Sequence, residues 1–357
     1  MKKKNIILLL LTLVSVMCQA QIKVEVSEAV ELMSILSRTA GFEEYCKDMA
    51  GQYTKDTEEW FKPYKQHPII PYYQEIRSKY GIGYEKVMNM AVHLEIAKGK
   101  VKLIGDRAEL NNGWQNVNID EFITLLNKFY SDTRFHKFFE QHSSFYAEGI
   151  KEFETNIMSM FHQDWYNQFY GTEASEQFHV IIGFTYGDNN NGVHRQLEGK
   201  PKESFAIMGY WINRTTWDAT LLIHEFNHSF VNPLLDNAAN RTMMEKVGTK
   251  LLQFSQPAME RQAYNSWEIV INESIVRAAV YIYLKDYNLV SRGTVYFMLE
   301  EVWHKGFQWM PELVTCLRTY AAQRDKYNTL NDYYPEIAKC LTQYLNNEGN
   351  RLQNALR

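Results

Sequence analysis

Residues 221–233 read LLIHEFNHSFVNP, an apolar stretch that carries two histidines four positions apart with a glutamate between them. In an α-helix, positions i and i+4 project from one face about one turn apart. His224 and His228 therefore offer two imidazole nitrogens on the same side of one helix. Glu225 is rotated about 100° from His224, close enough to reach a metal-held water without being a ligand itself. Asn232-Pro233 ends the helix, because the residue before proline disfavours the α conformation. The competing explanation is two core histidines with an incidental glutamate, the ordinary risk of a short motif in a chain with ten histidines. Leu221, Leu222, Ile223, Phe226 and Phe230 surround the pair with apolar surface. Buried imidazoles need partners, which favours a metal.

A catalytic zinc ion takes three protein ligands and leaves a fourth position to water. The spacing H-E-x-x-H-x-x-G-x-x-H is excluded, since Val231 and Leu234 stand where its glycine and third histidine belong. An aspartate in a Gly-Thr-x-Asp context is absent too, because Gly248-Thr249 runs on into Lys250-Leu251. A glutamate from a later helix remains. Asn265 to Glu268 reads as a capping box opening the helix that carries NESIVRAAVYIYL. Within it Glu273 lies between Ile271 and Ile275, a costly place for a charge without a partner. Glu273 is thus the third candidate ligand, with Arg277 one turn on to orient its carboxylate. The plain alternative is an i,i+4 ion pair between the two.

Outward from the motif, FHVIIGFTY (from Phe178) and ESFAIMGYW (from Glu203) are β-rich runs flanking the turn-forming GDNNNG, and VKLIG (Val101–Gly105) is a weaker third strand. ESFAIMGYW is taken as a sheet edge onto which an extended peptide could add. The rest reads helical. Ser27 caps a helix to about Arg38, and helical periodicity runs through 53–62, 71–79, 83–96, 119–130 and 132–168. It resumes at about 217–231, 236–254, 266–286, 293–305, 309–323 and 331–346. The expected fold is mainly α with a small β-sheet. Residues 21–170 form a helical N-terminal region packed on a core of residues 171–357. The aromatics of 132–168 read as core packing, and His179 and His194 as structural histidines.

Residues 1–20, MKKKNIILLLLTLVSVMCQA, read as a signal peptide: three lysines, a short apolar stretch, then small residues before a cleavage point after Ala20. The mature chain is then exported. A lipid anchor on Cys18 is the alternative, which Ser15-Val16-Met17 fits poorly. Losing Lys2, Lys3 and Lys4 moves the formal net charge from −4 to −7, and no dense basic run offers a phosphate-tracking stripe, so nucleic acid is not an expected partner. No transmembrane segment is expected in the mature chain. Cys46, Cys316 and Cys340 allow at most one disulfide, Cys316–Cys340. No G-x-S-x-G and no G-x-x-x-x-G-K-[ST] occurs, which disfavours serine-hydrolase and phosphate chemistry.

HEFNH followed some 45 residues later by NESIVRA resembles the gluzincin group of zinc metallopeptidases. The mature N-terminus, VEVSEAVELMSILSRTAG, and the overall layout are also similar to a secreted bacterial family of unknown function that carries this motif. The gluzincin resemblance covers about a third of the chain. It implies a zincin-like catalytic core in which His224, His228 and Glu273 hold Zn2+ and Glu225 is the general base acting on a zinc-bound water. The gap before the third ligand is longer than in the best-known members, and no G-x-M-E-N stretch precedes the motif, so an amine anchor of the aminopeptidase type is not implied. The expected activity is hydrolysis of peptide bonds in a peptide or protein substrate, with Tyr264 or Tyr281 as further donor. Two other functions fit the same residues: a non-catalytic exported binding protein with a zincin-like body, and a zinc hydrolase acting on a non-peptide amide. The oligomeric state has no signature in the sequence.

Overall fold

The computed structural model describes residues 22–355 apart from 112, 175, 213–217 and 290–296. The expected signal peptide with Cys18, and the first part of the helix expected at 293–305, lie outside the described residues.

The chain is mainly α with one small mixed sheet. The sheet has the order β1-β4-β6-β5, with β1 at Val24–Glu25, β4 at Gln177–Gly183, β5 at Asn190–Arg195 and β6 at Glu203–Gly209. β1, β4 and β6 run parallel, and β5 pairs antiparallel with β6. Two expectations change here. ESFAIMGYW is not an edge: β6 is buried along nearly its whole length between β4 and β5. The edge on the β6 side is β5, which begins within the expected turn GDNNNG, because pairing with β6 overrides the turn preference of its asparagines. VKLIG does form a strand, but in a separate hairpin of β2 (Leu94–Ala97) and β3 (Lys100–Leu103). Lys98 and Gly99 turn that hairpin with φ of 51° and 72°, the paired left-handed geometry that suits a two-residue connection. The helix expected over 83–96 therefore stops at Val92, where buried His93 turns into β2 and its Nδ1 meets the Asn89 carbonyl at 2.7 Å.

Helices surround the sheet. In the N-terminal half run α1 (Glu28–Thr39), α2 (Gln52–Phe61), α3 (Ile69–Tyr80), α4 (Glu85–Val92), α5 (Ile119–Asp132), α6 (Phe135–Gln141), α7 (Ser143–Asn156) and α8 (Gln163–Tyr170). Ser27 caps α1 as its sequence predicts, accepting from the Val30 amide. The aromatics of α6 to α8, among them Phe138, Tyr146 and Tyr166, are core residues. After the sheet come α9 (Thr220–Val231), α10 (Ala238–Phe254), α11 (Gln256–Arg261) and α12 (Trp267–Asp286), then helices at Met310–Ala322 and Leu330–Ala355. Ser266, not Asn265, caps α12, and Glu268 pairs with Arg241 instead of closing a capping box. One contiguous apolar core runs from Ile22 to Tyr344 through both halves. No helix among the described residues is long and apolar enough to cross a membrane. Cys316 and Cys340 are free thiols within hydrogen-bonding reach of each other on the last two helices, and Cys46 is a separate exposed thiol.

One carboxylate ties the N-terminal half to the sheet. Glu31 on α1 is fully buried and accepts from the Phe184 amide (2.6 Å), the Tyr53 hydroxyl (2.8 Å) and the Thr185 hydroxyl (3.2 Å), just beyond β4. Burial pushes its carboxyl up from 4.5 to about 7, against the pull of these three donors. The folded state thus binds this proton more tightly than the unfolded chain. The resulting stabilisation is complete below pH 4.5 and is lost as pH rises to about 7. Relative to Glu31→Gln, the parent should lose about 3 kcal/mol between pH 4.5 and 7.5 in denaturant unfolding. A difference between the two that stays constant with pH would show that Glu31 does not titrate there.

Candidate metal centre

α9 is fixed on both sides before its histidines are placed. Phe226 packs against Phe161, Tyr166, Phe178 and Phe230. Asn227, the other free position of the motif, is fully buried and accepts a 2.6 Å hydrogen bond from the Tyr170 hydroxyl. The opposite face carries His224 and His228 toward α12, where Glu273 projects between them. The Nε2 atoms of the histidines are 3.1 Å apart. His224 Nε2 lies 3.6 Å and His228 Nε2 3.3 Å from the Glu273 carboxylate. Donors placed ~2.0–2.1 Å from a tetrahedral ion stand about 3.3 Å from one another, so the three side chains have the mutual spacing of a metal ligand set. They form the one cluster of metal-ligating side chains found among the described residues, with ligand atoms all within 4.8 Å of one another.

Neighbouring groups hold these donors in orientation. The His228 Nδ1–H donates to Asn232 Oδ1 at 3.1 Å, which leaves Nε2 facing Glu273. Arg277, one turn along α12, donates through Nε to Glu273 at 3.0 Å. It also bridges to both oxygens of buried Glu301 at 3.0 and 3.1 Å. Glu301 sits in a π-helical turn, Glu300–His304, and also forms an ion pair with Lys305 at 3.2 Å. The ion pair between Glu273 and Arg277 and the ligand geometry thus coexist. Arg277 Nη2 finally donates to the Tyr264 hydroxyl at 2.9 Å.

The charges follow from burial and this network. Burial raises the Glu225 carboxyl from 4.5 to about 7, with His228 opposing and Glu273 reinforcing. Burial lowers the His224 imidazole to about 3 despite the nearby Glu273 charge. Burial also acts to lower His228, but the hydrogen bond and charge of Glu273 prevail and lift it to about 9. Glu273 itself, though desolvated, is held far below the usual carboxylate range by His228, His224 and Arg277. Without a metal, the proton of His228 balances the buried carboxylate.

All four motif residues, with Tyr264 and Arg277, line a cavity of about 570 Å³. Tyr281 does not line it and packs toward Phe297, with ring centroids 6.3 Å apart. His179 stacks on Phe205 and His194 bonds Ser204, so neither joins the site. Two positions that shape the site escaped the sequence reading. Glu301 had no spacing to mark it. Gly192, on the edge strand β5, did carry a signal: glycine inside a strand marks a close approach. A Cβ on Gly192 would lie 2.1 Å from Glu225 Oε2, so the strand makes room for that carboxylate.

Residues 21–340 match the family model described as Domain of unknown function (DUF4932), and the chain belongs to that family. No curated protein and no solved structure matches it.

A divalent transition ion entering this site must displace the His228 proton. Affinity should therefore fall as pH drops below about 9. Titrating the protein with Co2+ in weak buffer at pH 7.5 should release about one proton per ion bound. Proton-neutral binding, or equal uptake by His228→Ala, would place the ion elsewhere.

Proposed function

We propose that this DUF4932 protein is a zinc-dependent peptidase of gluzincin type, hydrolysing peptide bonds in its central cavity. The observation that carries the proposal is the convergence of His224, His228 and Glu273 at ligand spacing, with Glu225 beside them in the same cavity. Two neutral imidazoles and one carboxylate are the donor set of a catalytic zinc site with one position left open. Zinc bound there supplies a Lewis acid for the scissile carbonyl and lowers the pKa of a water in that position toward ~7.

The chain's own groups do the rest. Glu225 takes the proton of the attacking water and passes it to the leaving amine. A carboxyl raised to about 7 is suited to both steps near neutral pH. Gly192 leaves the space in which that carboxylate stands. Tyr264 is the better placed of the two candidate tyrosines. It lines the cavity, and its hydroxyl, which accepts from Arg277, stands beside Glu273; once Glu273 holds a metal, the hydroxyl hydrogen is free for a developing oxyanion. Asn190 to Gly192 of the edge strand also line the cavity, which supports an extended peptide pairing along β5. The Lys2–Ala20 pattern supports action outside the cytoplasm after cleavage at Ala20.

Glu225→Gln should retain a full equivalent of zinc and lose at least about 10²-fold in kcat on a mixed peptide pool. Gly192→Ala, which displaces the same carboxylate, should follow with a smaller loss and unchanged metal content. Wild-type turnover by Glu225→Gln would remove the base from its role. A zinc-loaded parent that cleaves no peptide at all would favour the binding-protein alternative.

Tyr264→Phe should lower kcat by about 10²-fold while KM changes little, as expected when a donor acts only in the transition state. A rise in KM at unchanged kcat would make Tyr264 a binding residue.

A further inference from the structure

The catalytic cavity is not lined by the C-terminal half alone. Glu85, the first residue of α4, reaches it from the N-terminal half. The other charges of the cavity are engaged. Arg277 lies between Glu273 and Glu301, Lys305 on Glu301, and Asp218 accepts the Thr220 amide at the start of α9. Glu225 is buried at the reaction centre. Glu85 is exposed, and among the described residues it has no cation within salt-bridge distance and accepts no hydrogen bond; the Lys86 and Val87 amides at the start of α4 are taken by the Gly83 and Tyr84 carbonyls. Capping of α4 therefore does not account for it.

Its position is also enforced. Tyr84, the preceding residue, has φ 46°, a left-handed conformation that a non-glycine adopts at a cost of about 1–3 kcal/mol. Two buried residues clamp it. The Tyr45 hydroxyl donates to the Tyr84 carbonyl at 3.0 Å, and the Tyr84 amide donates to Glu44 Oε1 at 3.3 Å. Glu44 is itself fixed by a two-pronged pair with Arg77 at 2.6 and 2.9 Å. The sharp bend starts α4 at the cavity rim and aims its first side chain at the space beside the motif. Glu85 lines the cavity together with Glu225 and with Asn191 and Gly192 of β5.

We infer that Glu85 sets the substrate preference of the cavity by pairing with a cationic group of the peptide, an ammonium or guanidinium close to the scissile bond. The inference rests on the peptidase reading above. An unpaired carboxylate on the cavity wall attracts a cation that a bound substrate brings against it. The cation comes from a Lys or Arg side chain or from the free N-terminus of the substrate, and the two sources are separable by experiment.

The test uses alanine-based hexapeptides that carry lysine or norleucine at each position in turn, every one with a free or an acetylated N-terminus. Binding to the zinc-loaded full chain in the Glu225→Gln background is read by fluorescence anisotropy, so it does not depend on turnover. At one position lysine should bind roughly tenfold tighter than norleucine, and adding Glu85→Gln should bring that ratio to about one. A preference for the free over the acetylated terminus that Glu85→Gln abolishes would assign the α-amine as the cation. Equal binding of lysine and norleucine at every position with either terminus, or a preference that survives Glu85→Gln, overturns the inference. The peptidase reading is scored apart, by cleavage of the same peptides with the parent: preference without cleavage sinks that reading and leaves the Glu85 assignment standing.

Discussion

A carboxylate buried in protein is costly unless charge and hydrogen bonds compensate for the water it has lost. Glu273 is in that position, flanked by Ile271 and Ile275 in the middle of α12. Arg277 answers part of its charge, but Arg277 is shared with Glu301, so the two acids outnumber the one guanidinium. Lys305 reaches only Glu301. The remainder falls on the two imidazoles of α9. In the metal-free protein a proton on His228 closes the balance, and a divalent ion would close it more completely with the same atoms. Much of the C-terminal half serves this arrangement: the cap at Ser266, the π-helical turn at Glu301 and the Asn232 contact to His228 all fix donors relative to that carboxylate.

The N-terminal half is more than a scaffold for the motif. α8 pins α9 through Tyr166 and Tyr170, Glu31 secures α1 to the end of β4, and the strained residue at 84 brings α4 to the cavity rim. A single apolar core joins these elements to the sheet and to the motif helices. The cavity is accordingly a product of both halves. One carries His224, Glu225, His228 and Glu273, and the other carries part of the cavity wall.

The motif helix, its two histidines and the buried glutamate of α12 were legible because each rests on local physics: the 3.6-residue period, and the cost of a charge between two isoleucines. The cap at Ser27 and most helix positions were legible for the same reason. What failed was non-local. β5 reads as a turn because Asn190, Asn191 and Gly192 have loop preferences, and only pairing with β6 and the closeness of Glu225 explain them as a strand. ESFAIMGYW gave no sign of which neighbours would flank it. Glu268 matched a capping-box spacing but was drawn to Arg241 on another helix. Glu85 and Glu301 carry no motif at all. Their positions at the site come from tertiary placement, which no window of the sequence contains.

Every part of this arrangement turns on whether two imidazoles and one carboxylate from α9 and α12 bind one divalent ion together. X-ray absorption spectroscopy of the protein loaded with one equivalent of zinc tests it most directly. The expected spectrum is a four-coordinate shell of nitrogen and oxygen at ~2.0–2.1 Å, with the outer-shell scattering of two imidazoles. In Glu273→Ala one oxygen scatterer should be lost or replaced by water while both imidazoles remain. A shell containing sulfur at ~2.3 Å, or one without imidazole scattering, would show that the ion is not held by His224, His228 and Glu273.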